Sequence, residues 1–170
     1  MKRINKYLFL DGVLNSVSWY REEWNKDHVY PQGDFDPKCV EIVNRIVKET
    51  DCKVVVSSSW RAEANLQSIF DKVGLKFKIH SITPFGDHRG CEIRDWLASE
   101  TEPYVYAILD DDRSMLAEQR KYFIKTNNDR DDVGTTTFLA EYPKPITLMR
   151  YIRKAIDSGE LVIATTDAEV

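Results

Sequence analysis

The sequence predicts an α/β fold, a doubly wound and mainly parallel sheet with helices on both faces. Three observations predict it: short apolar runs have the length of strands, segments with helical spacing separate them, and the runs end in polar clusters. Apolar runs of this kind suit a parallel sheet that helices cover on both faces. Alternating strands and helices indicate βαβ units, which wind into such a sheet.

Three apolar runs are too short for helices and are rich in β-branched or aromatic residues, which favours buried strands. They are KYLFL before Asp11, CKVVV before Ser57–Ser59, and YVYAIL before Asp110–Asp112. A further short strand, KYFIKT at 121–126, is predicted after a weaker helix beyond Asp112.

Four segments have apolar residues at helical spacing and are predicted helices. Pro37 falls in the first turn of the first segment, and Gly74 ends the second, as is typical of helix starts and stops. In the third, Ile93, Trp96 and Leu97 share one face. The segments are 36–50, 60–74, 91–100 and 144–157.

The chain is expected to form a single domain, since 170 residues are enough to bury a real core. We place this domain at 1–157. The segment 16–35, between the first strand and the first long helix, has the length of a flap or minimal cap. The tail, 158–170, is assigned no element.

Composition indicates a globular, cytoplasmic protein without a membrane partner. Hydrophobic residues make up 42% and charged residues 31% of the chain, which is ordinary for such proteins. The net charge of −4 argues against a surface for double-stranded nucleic acid. The first apolar run is too short for a signal peptide or a membrane span. Scattered Cys39, Cys52 and Cys91 are expected to be reduced, partly buried thiols.

The polar clusters follow strands at the points where those strands end, and ligands of doubly wound sheets bind at that edge. Asp11 and Asp110–Asp112 would meet there, and each like-charged pair at about 4 Å costs roughly 4 kcal/mol at an effective dielectric near 20. A cation relieves this repulsion, and oxygen ligands without His or Cys favour Mg²⁺. The hydroxyl and N–H groups of Ser57–Ser59 suit phosphate oxygens.

Each cluster also has a structural interpretation. Asp and Ser are favoured at helix N-caps, so LDDDR and SSSW each predict a cap when taken alone. Their occurrence together with Asp11 at successive strand ends favours a ligand site.

The ordered motifs resemble those of the haloacid dehalogenase-like (HAD) superfamily of phosphohydrolases and phosphotransferases over most of the chain. FLDGVLN is similar to motif I, usually hhhDxDGVLN, and VVVSSSWR to motif II. HRGCEIRDWL is similar to the basic motif III with its helix, and YAILDDDRSM to motif IV. The SSSWR, RGxEIxxWL and ILDDD patterns resemble a small-cap subgroup associated with nucleotide or nucleic-acid end phosphatases.

The resemblance implies a Mg²⁺-dependent phosphatase that forms an aspartyl-phosphate. Its substrate would be a phosphorylated small molecule, such as a nucleotide, or a nucleic-acid end. The implied catalytic residues are Asp11, Ser57 and Arg89; the implied metal ligands are Asp11, Asp110 and Asp111, with Asp112 as a further candidate. The phosphate contacts assigned to this site are Gly12, Ser57, Ser58, Arg61 and Arg89.

Motif I departs from the family pattern, because this chain has one aspartate where the family has two. Aligned backwards from GVLN, Asp11 is the acid/base residue and Phe9 takes the nucleophile position. Aligned forwards along the strand, Asp11 is the nucleophile and Val13 takes the acid/base position. We favour the forward alignment, since a buried strand that ends on a carboxylate matches how such sites are built. Loss of general acid–base help would slow the reaction by about 10²–10⁴-fold.

Other residues have two or more interpretations. Arg61 either reaches the phosphate, pairs with the aspartate cluster or lies exposed on the surface. The aromatic residues of 16–35 either stack on a nucleobase or pack a short lid. No histidine has the spacing of a metal ligand, and His88, beside Arg89, is a candidate phosphate contact. The aromatic residues are Trp19, Tyr20, Trp24 and Tyr30.

Three functions are compatible with these features. The first is a Mg²⁺-dependent phosphatase for a nucleotide or nucleic-acid end. The second is a phosphate-binding module without turnover, because motif I has a single aspartate. The third is polynucleotide end repair, in which 16–35 and the polar loop at 127–138 grip the strand.

Overall fold

Five parallel strands form one sheet in the order β3-β2-β1-β4-β5 in the computed structural model. The structure describes residues 4–11, 14, 35–110 and 112–125. The predicted helix at 144–157, the tail 158–170 and all of the flap except Phe35 lie outside the described residues. The elements are β1 (Asn5–Leu10), α1 (Pro37–Thr50), β2 (Lys53–Val56), α2 (Leu66–Lys72), β3 (Ile79–Ile82), α3 (Arg89–Leu97), β4 (Tyr104–Asp110) and β5 (Phe123–Lys125).

The topology confirms the predicted α/β class and the Rossmannoid core. The chain runs outwards from β1 through β2 to β3, then crosses to the other side of β1 to form β4 and β5. Because βαβ crossovers are right-handed, this reversal places α1 and α2 on one face and α3 on the other. Trp96 of α3 packs edge-on against Tyr7 and Phe9, with ring centroids 4.9 and 5.5 Å away.

The reversal creates a switch point between β1 and β4, because the chain leaves their carboxyl ends towards opposite faces of the sheet. A crevice at such a point is where doubly wound sheets bind ligands. Both strands are deeply buried: all seven residues of β4 and the last four of β1 belong to the buried class. The prediction of fully buried strands is therefore confirmed for the two strands that flank the crevice.

The helices agree with the sequence where the signals are local. Helix α1 begins at Pro37, and its apolar stripe of Val40, Val43 and Ile46 is buried. Gly74 follows α2 with a φ of +92°, a left-handed conformation that glycine adopts without strain. The thiols of Cys39 and Cys52 are buried and that of Cys91 is partly so, as predicted, and burial raises the pKa of the Cys52 thiol.

Three predicted elements have other bounds in the structure, and one strand was missed. The helix predicted at 60–74 is two elements, a 3₁₀ turn at Ser59–Ala62 and then α2, because Ser58 Oγ accepts a hydrogen bond from Trp60 N and the backbone is extended at Glu63. Helix α3 is shifted to Arg89–Leu97. The strand predicted at 121–126 is limited to β5, after a 3₁₀ segment at Ala117–Tyr122. Strand β3 was not predicted.

In the described part of the chain, every helix is too short or too polar to cross a membrane.

Candidate active site

Four polar residues lie side by side where the strands end. The sheet pairs Ile82 with Val56, Val56 with Leu10, and Leu10 with Leu109, so the next residue of each strand continues the row. Backbone hydrogen bonds from Thr83 N, Ser57 N and Asp11 N, of 3.0 to 3.2 Å, extend the pairing to this row. The row is Thr83, Ser57, Asp11 and Asp110, and it brings together three of the predicted site residues.

Arg89, the first residue of α3, contacts both carboxylates at the switch point. Its Nη2 donates to Asp11 Oδ2, and its Nε forms an ion pair with Asp110 Oδ2 at 3.2 Å. Burial by itself would lower the pKa of Arg89, but the carboxylates of Asp11 and Asp110 outweigh it and raise that pKa. Arg89 therefore carries a fixed positive charge between the two acids.

Glu92 holds Arg89 from the next turn of the helix. Its Oε2 accepts from Arg89 Nη1 at 3.0 Å, and its Oε1 accepts from Arg61 Nη2 at 2.8 Å and from Gly86 N at 2.9 Å. The residue is 6% exposed. Glu92 was not among the predicted site residues, although its spacing of three from Arg89 within RGxEIxxWL is a signal that they share a helix face.

Arg61 is buried against the segment that follows β2. Its Nη1 donates to the carbonyl oxygens of Ser57 and Ser58, the latter at 2.8 Å. Burial lowers the pKa of Arg61, against the opposing effect of Glu92. The surface interpretation of Arg61 is therefore wrong, since the residue is 7% exposed and forms its ion pair with Glu92.

The acidic segment after β4 folds back on its own backbone. Asp110, fully buried, accepts from Asp112 N at 2.8 Å, and Asp112 accepts from Ser114 N at 2.7 Å. Burial would raise the pKa of Asp112, but hydrogen bonds from Ser114 outweigh it and lower that pKa. Each of these two carboxylates thus accepts a hydrogen bond from a nearby backbone N–H, as the structural interpretation expects. None of the aspartates caps the following 3₁₀ segment, because its N-cap is Leu116.

A family model described as the HAD domain in Swiss Army Knife RNA repair proteins matches residues 7–131, more than half of the chain. The chain belongs to this family. The match confirms the HAD-like superfamily that the motifs indicated, and it identifies the chain as a HAD-type phosphohydrolase domain. A search of curated proteins and a search of solved structures gave no match.

Gly90 fixes the start of α3 in the HAD domain. A Cβ at this position would lie 2.6 Å from Ser114 O and 2.7 Å from Leu116 N. The close approach lets Gly90 N donate to Ser114 O at 3.1 Å and Gly90 O accept from Gln119 Nε2 at 2.7 Å. The neighbouring Arg89 is thereby tied to the segment that follows Asp110. Sequence reasoning missed Gln119, which is 2% exposed.

The other predicted site residues of the HAD domain are placed as follows. Ser57 is fully buried, and Ser58 caps the 3₁₀ turn through its hydroxyl. His88 is exposed at the N-cap of α3. Gly12 and Asp111 lie outside the described residues.

The donor set at the switch point fits a hard divalent cation. Asp11 and Asp110 supply oxygen ligands on neighbouring strands, which is the chemistry that Mg²⁺ prefers. Among residues 4–11, 14, 35–110 and 112–125, no group of three or more His, Cys, Asp or Glu side chains is placed to hold a metal ion. Asp111, the third predicted ligand, is outside these ranges.

A separate groove of about 740 Å³ lies along α1, and its lining contains none of the predicted site residues. Asn44, Lys76 and Phe77 are among the residues that line it. The side chain of Asn44 donates to Gly74 O at 2.8 Å and accepts from Lys76 N at 2.7 Å.

Proposed function

We propose that this HAD domain is a Mg²⁺-dependent phosphomonoesterase that acts on a nucleotide or a nucleic-acid end through an aspartyl-phosphate. The main support is the contact of one guanidinium, that of Arg89, with the carboxylates of both Asp11 and Asp110 at the switch point. A buried cation beside two acids suits a phosphoryl group, because the cation neutralises the phosphoryl oxygens and the acids supply a nucleophile and a metal ligand. The family description, which names RNA repair proteins, favours an RNA end.

We assign Asp11 as the nucleophile, in line with the forward alignment. It is the first residue after β1, at the edge where ligands bind, and its side chain is 14% exposed. Phe9, which the backward alignment puts in the nucleophile position, is fully buried between the rings of Trp96 and Tyr106. A substrate reaches the position of Asp11 far more easily than that of Phe9.

In the proposed reaction, a carboxylate oxygen of Asp11 attacks phosphorus and the ester P–O bond breaks. The leaving oxygen takes its proton from water, because Val13 has no proton to donate. Water then attacks the phosphorus of the aspartyl-phosphate, which releases phosphate and restores Asp11. Arg89 and Ser57 neutralise and orient the phosphoryl oxygens during both steps.

Asp11, Asp110 and Asp111 would hold Mg²⁺, which when bound adds positive charge against the phosphoryl oxygens. Gly12 and Ser58 are proposed as further phosphate contacts through their N–H or hydroxyl groups. Arg61 is proposed to act mainly through the Ser57–Ser58 carbonyls that it holds.

A nucleic-acid end is further supported by Phe85, an exposed aromatic residue beside the site. Its side chain is 66% exposed, and its ring lies 4.1 Å from the guanidinium carbon of Arg61. Arg61 connects through Glu92 to Arg89, so the ring stands at the rim of the candidate site. Exposed rings next to a phosphate site serve as stacking platforms for bases.

The remaining parts of the proposal concern residues outside the described ranges. We propose a single domain that extends to residue 157, with 16–35 as a flap or small cap. A cytoplasmic location and the lack of a surface for double-stranded nucleic acid stay predictions.

The purified protein with Mg²⁺ should release phosphate from nucleotides or from oligonucleotides with terminal phosphates, and a chelator should stop the release. Asp11→Asn should abolish turnover. Asp95→Asn, an exposed acid on α3 that pairs with Arg94, is the matched control and should keep it. Equal phosphate release by Asp11→Asn would show that Asp11 is not the nucleophile.

A second candidate function is a phosphate-binding module without steady turnover. The observation in its favour is Val13, which cannot transfer protons, at the acid/base position. This function predicts Mg²⁺-dependent binding of nucleotides in calorimetry without phosphate release. Steady turnover by the wild-type protein would eliminate it.

A further inference from the structure

Two hydroxyl groups at the edge of the sheet are buried without a hydrogen-bond partner. Thr83, the first residue after β3, is 1% exposed, and Ser57, the first residue after β2, is fully buried. In the part of the chain that the structure describes, neither Thr83 Oγ1 nor Ser57 Oγ has a hydrogen-bond partner. Ser57 belongs to the predicted site, whereas no role has been assigned to Thr83.

The two hydroxyls lie next to each other on the face that carries α3. The pairing of Ile82 with Val56 makes Thr83 and Ser57 neighbours across adjacent strands, about 4.8 Å apart. Side chains alternate along a strand, so Thr83 shares a face with Ser81. Ser81 accepts a hydrogen bond of 2.9 Å from Trp96 Nε1 of α3. Thr83 therefore lies on the same face as Arg89.

The row at the sheet edge is thus divided by chemistry. Its β1 and β4 positions are the carboxylates Asp11 and Asp110, which suit a cation. Its β2 and β3 positions are the hydroxyls of Ser57 and Thr83, which can donate to an anion or to a polar oxygen. The division matches a substrate that has its phosphorus at Asp11 and extends oxygens over β2 and β3.

An unpaired buried hydroxyl is unfavourable in the free protein, because burial removes its hydrogen bonds to water. Most buried polar side-chain atoms in native proteins have a partner, and two adjacent exceptions call for an explanation. A valine would occupy the same space as Thr83 without this cost. The stability of the free protein therefore does not explain why position 83 carries a hydroxyl.

We propose that Thr83 Oγ1 donates a hydrogen bond to an oxygen of the phosphorylated substrate, beside the oxygen that Ser57 holds. This inference rests on the proposed function, because it requires a substrate phosphate at Asp11. The oxygen is either a phosphoryl oxygen or a hydroxyl or ring oxygen of the attached group. Inorganic phosphate and a nucleotide distinguish these two sources.

The test compares Thr83→Val, Thr83→Ser and the wild-type protein. Thr101→Val changes an exposed threonine three residues before β4; it is the control and should behave as the wild type. Calorimetry measures the binding of inorganic phosphate with Mg²⁺, phosphate release measures KM and kcat on a nucleotide, and urea unfolding measures stability. Hydrogen bonds to charged groups predict a roughly 10- to 150-fold loss of affinity in Thr83→Val.

We expect Thr83→Val to unfold at the same or a higher urea concentration than the wild type and yet to bind substrate more weakly. Thr83→Ser should restore binding. A loss that appears with inorganic phosphate assigns the contact to a phosphoryl oxygen, and a loss confined to the KM of the nucleotide assigns it to the attached group. Wild-type affinity and KM in Thr83→Val would overturn the inference.

The outcomes separate this inference from the proposed function. Turnover by the wild type with unchanged constants in Thr83→Val overturns the role of Thr83 alone. Phosphate binding without turnover, weakened by Thr83→Val, overturns the phosphatase and supports Thr83. If Thr83→Val unfolds at a lower urea concentration than the wild type and binds substrate equally well, the hydroxyl has a structural role and the inference is overturned.

Discussion

Arg61 and Glu92 form a buried ion pair, with Nη2 and Oε1 2.8 Å apart and side chains 3% and 7% exposed. A buried pair of this kind adds little net stability, because the two charges lose their hydration on folding. Its consequence here is orientation: the second oxygen of Glu92 holds Arg89, and Arg89 reaches the two carboxylates at the switch point.

Glu92→Gln should destabilise the protein strongly. The amide keeps the shape but removes the charge that pairs with the buried guanidinium of Arg61, and breaking a buried pair costs about 3–5 kcal/mol. Urea unfolding measures the change. Glu49→Gln is the matched control, since its ion pair with Arg45 is exposed, and such pairs contribute about 0–1 kcal/mol. Equal losses of stability in the two variants would show that the buried ion pair matters no more to stability than the exposed one.

Gly90→Ala should displace α3 and weaken phosphate binding. The new Cβ would lie 2.6 Å from the backbone oxygen of Ser114, and overpacking of this kind costs about 1–3 kcal/mol. Urea unfolding and phosphate calorimetry should both show the loss. Arg94→Ala, an exposed change on the same helix, should leave the urea unfolding curve unchanged. An unchanged unfolding curve for Gly90→Ala would contradict the close approach.

Phe85→Leu should raise KM for a substrate that carries a base next to its phosphate. Stacking on an aromatic side chain contributes about 1–3 kcal/mol per base, roughly a 5- to 150-fold change. A base-free sugar phosphate should be affected by less than about twofold, because it has no ring to stack. Phe85→Trp should retain the wild-type preference. If both substrates lose equally, Phe85 only shields the Arg61–Glu92 pair from water.

Insertion of Val-Asp after Asp11 should increase turnover, because it recreates the family's DxDGVLN pattern. The added carboxylate would supply the missing proton transfer, which contributes about 10²–10⁴-fold. The gain should be largest for esters with poor leaving groups, and phosphate release measures it. Insertion of Val-Asn has the same length without the acid and should give no gain. A similar rate for both insertions would argue against the forward alignment.

The imidazole of His80 should make the protein less stable in mild acid. Partial burial and the nearby charge of Lys53 lower its pKa, and its ring stacks on Tyr7 with centroids 5.5 Å apart. As the pH falls below the ordinary histidine pKa of about 6.5, the unfolded chain takes up a proton before the folded protein does. The free energy of unfolding therefore decreases as the pH decreases. His80→Phe should lose less stability than the wild type between about pH 7.5 and pH 5.5 in urea unfolding. NMR titration of His80 would contradict this if its pKa were not lowered.

The strands around the switch point could be predicted because their signals are local. KYLFL and YVYAIL are continuous apolar runs, and each stops at an aspartate. Parallel pairing aligns the carboxyl ends of such strands, so the pattern predicted that Asp11 and Asp110 share one edge of the sheet, and the strand order then made them neighbours. Strand β3 was not predicted because it is short, is the outermost strand on its side of the sheet, and alternates between half-buried and exposed residues.

The sequence by itself determined the fold class, the family and the residues at the strand ends, since strand length, apolar character and motif spacing are properties of neighbouring residues. Only the tertiary structure decided that Arg61 is buried, that Glu92 joins two arginines and that Thr83 stands beside Ser57. Arg61 is 31 positions from Glu92, and Arg89 is 78 positions from Asp11. Contacts over such separations depend on how helices cross the sheet, and no local pattern contains that information.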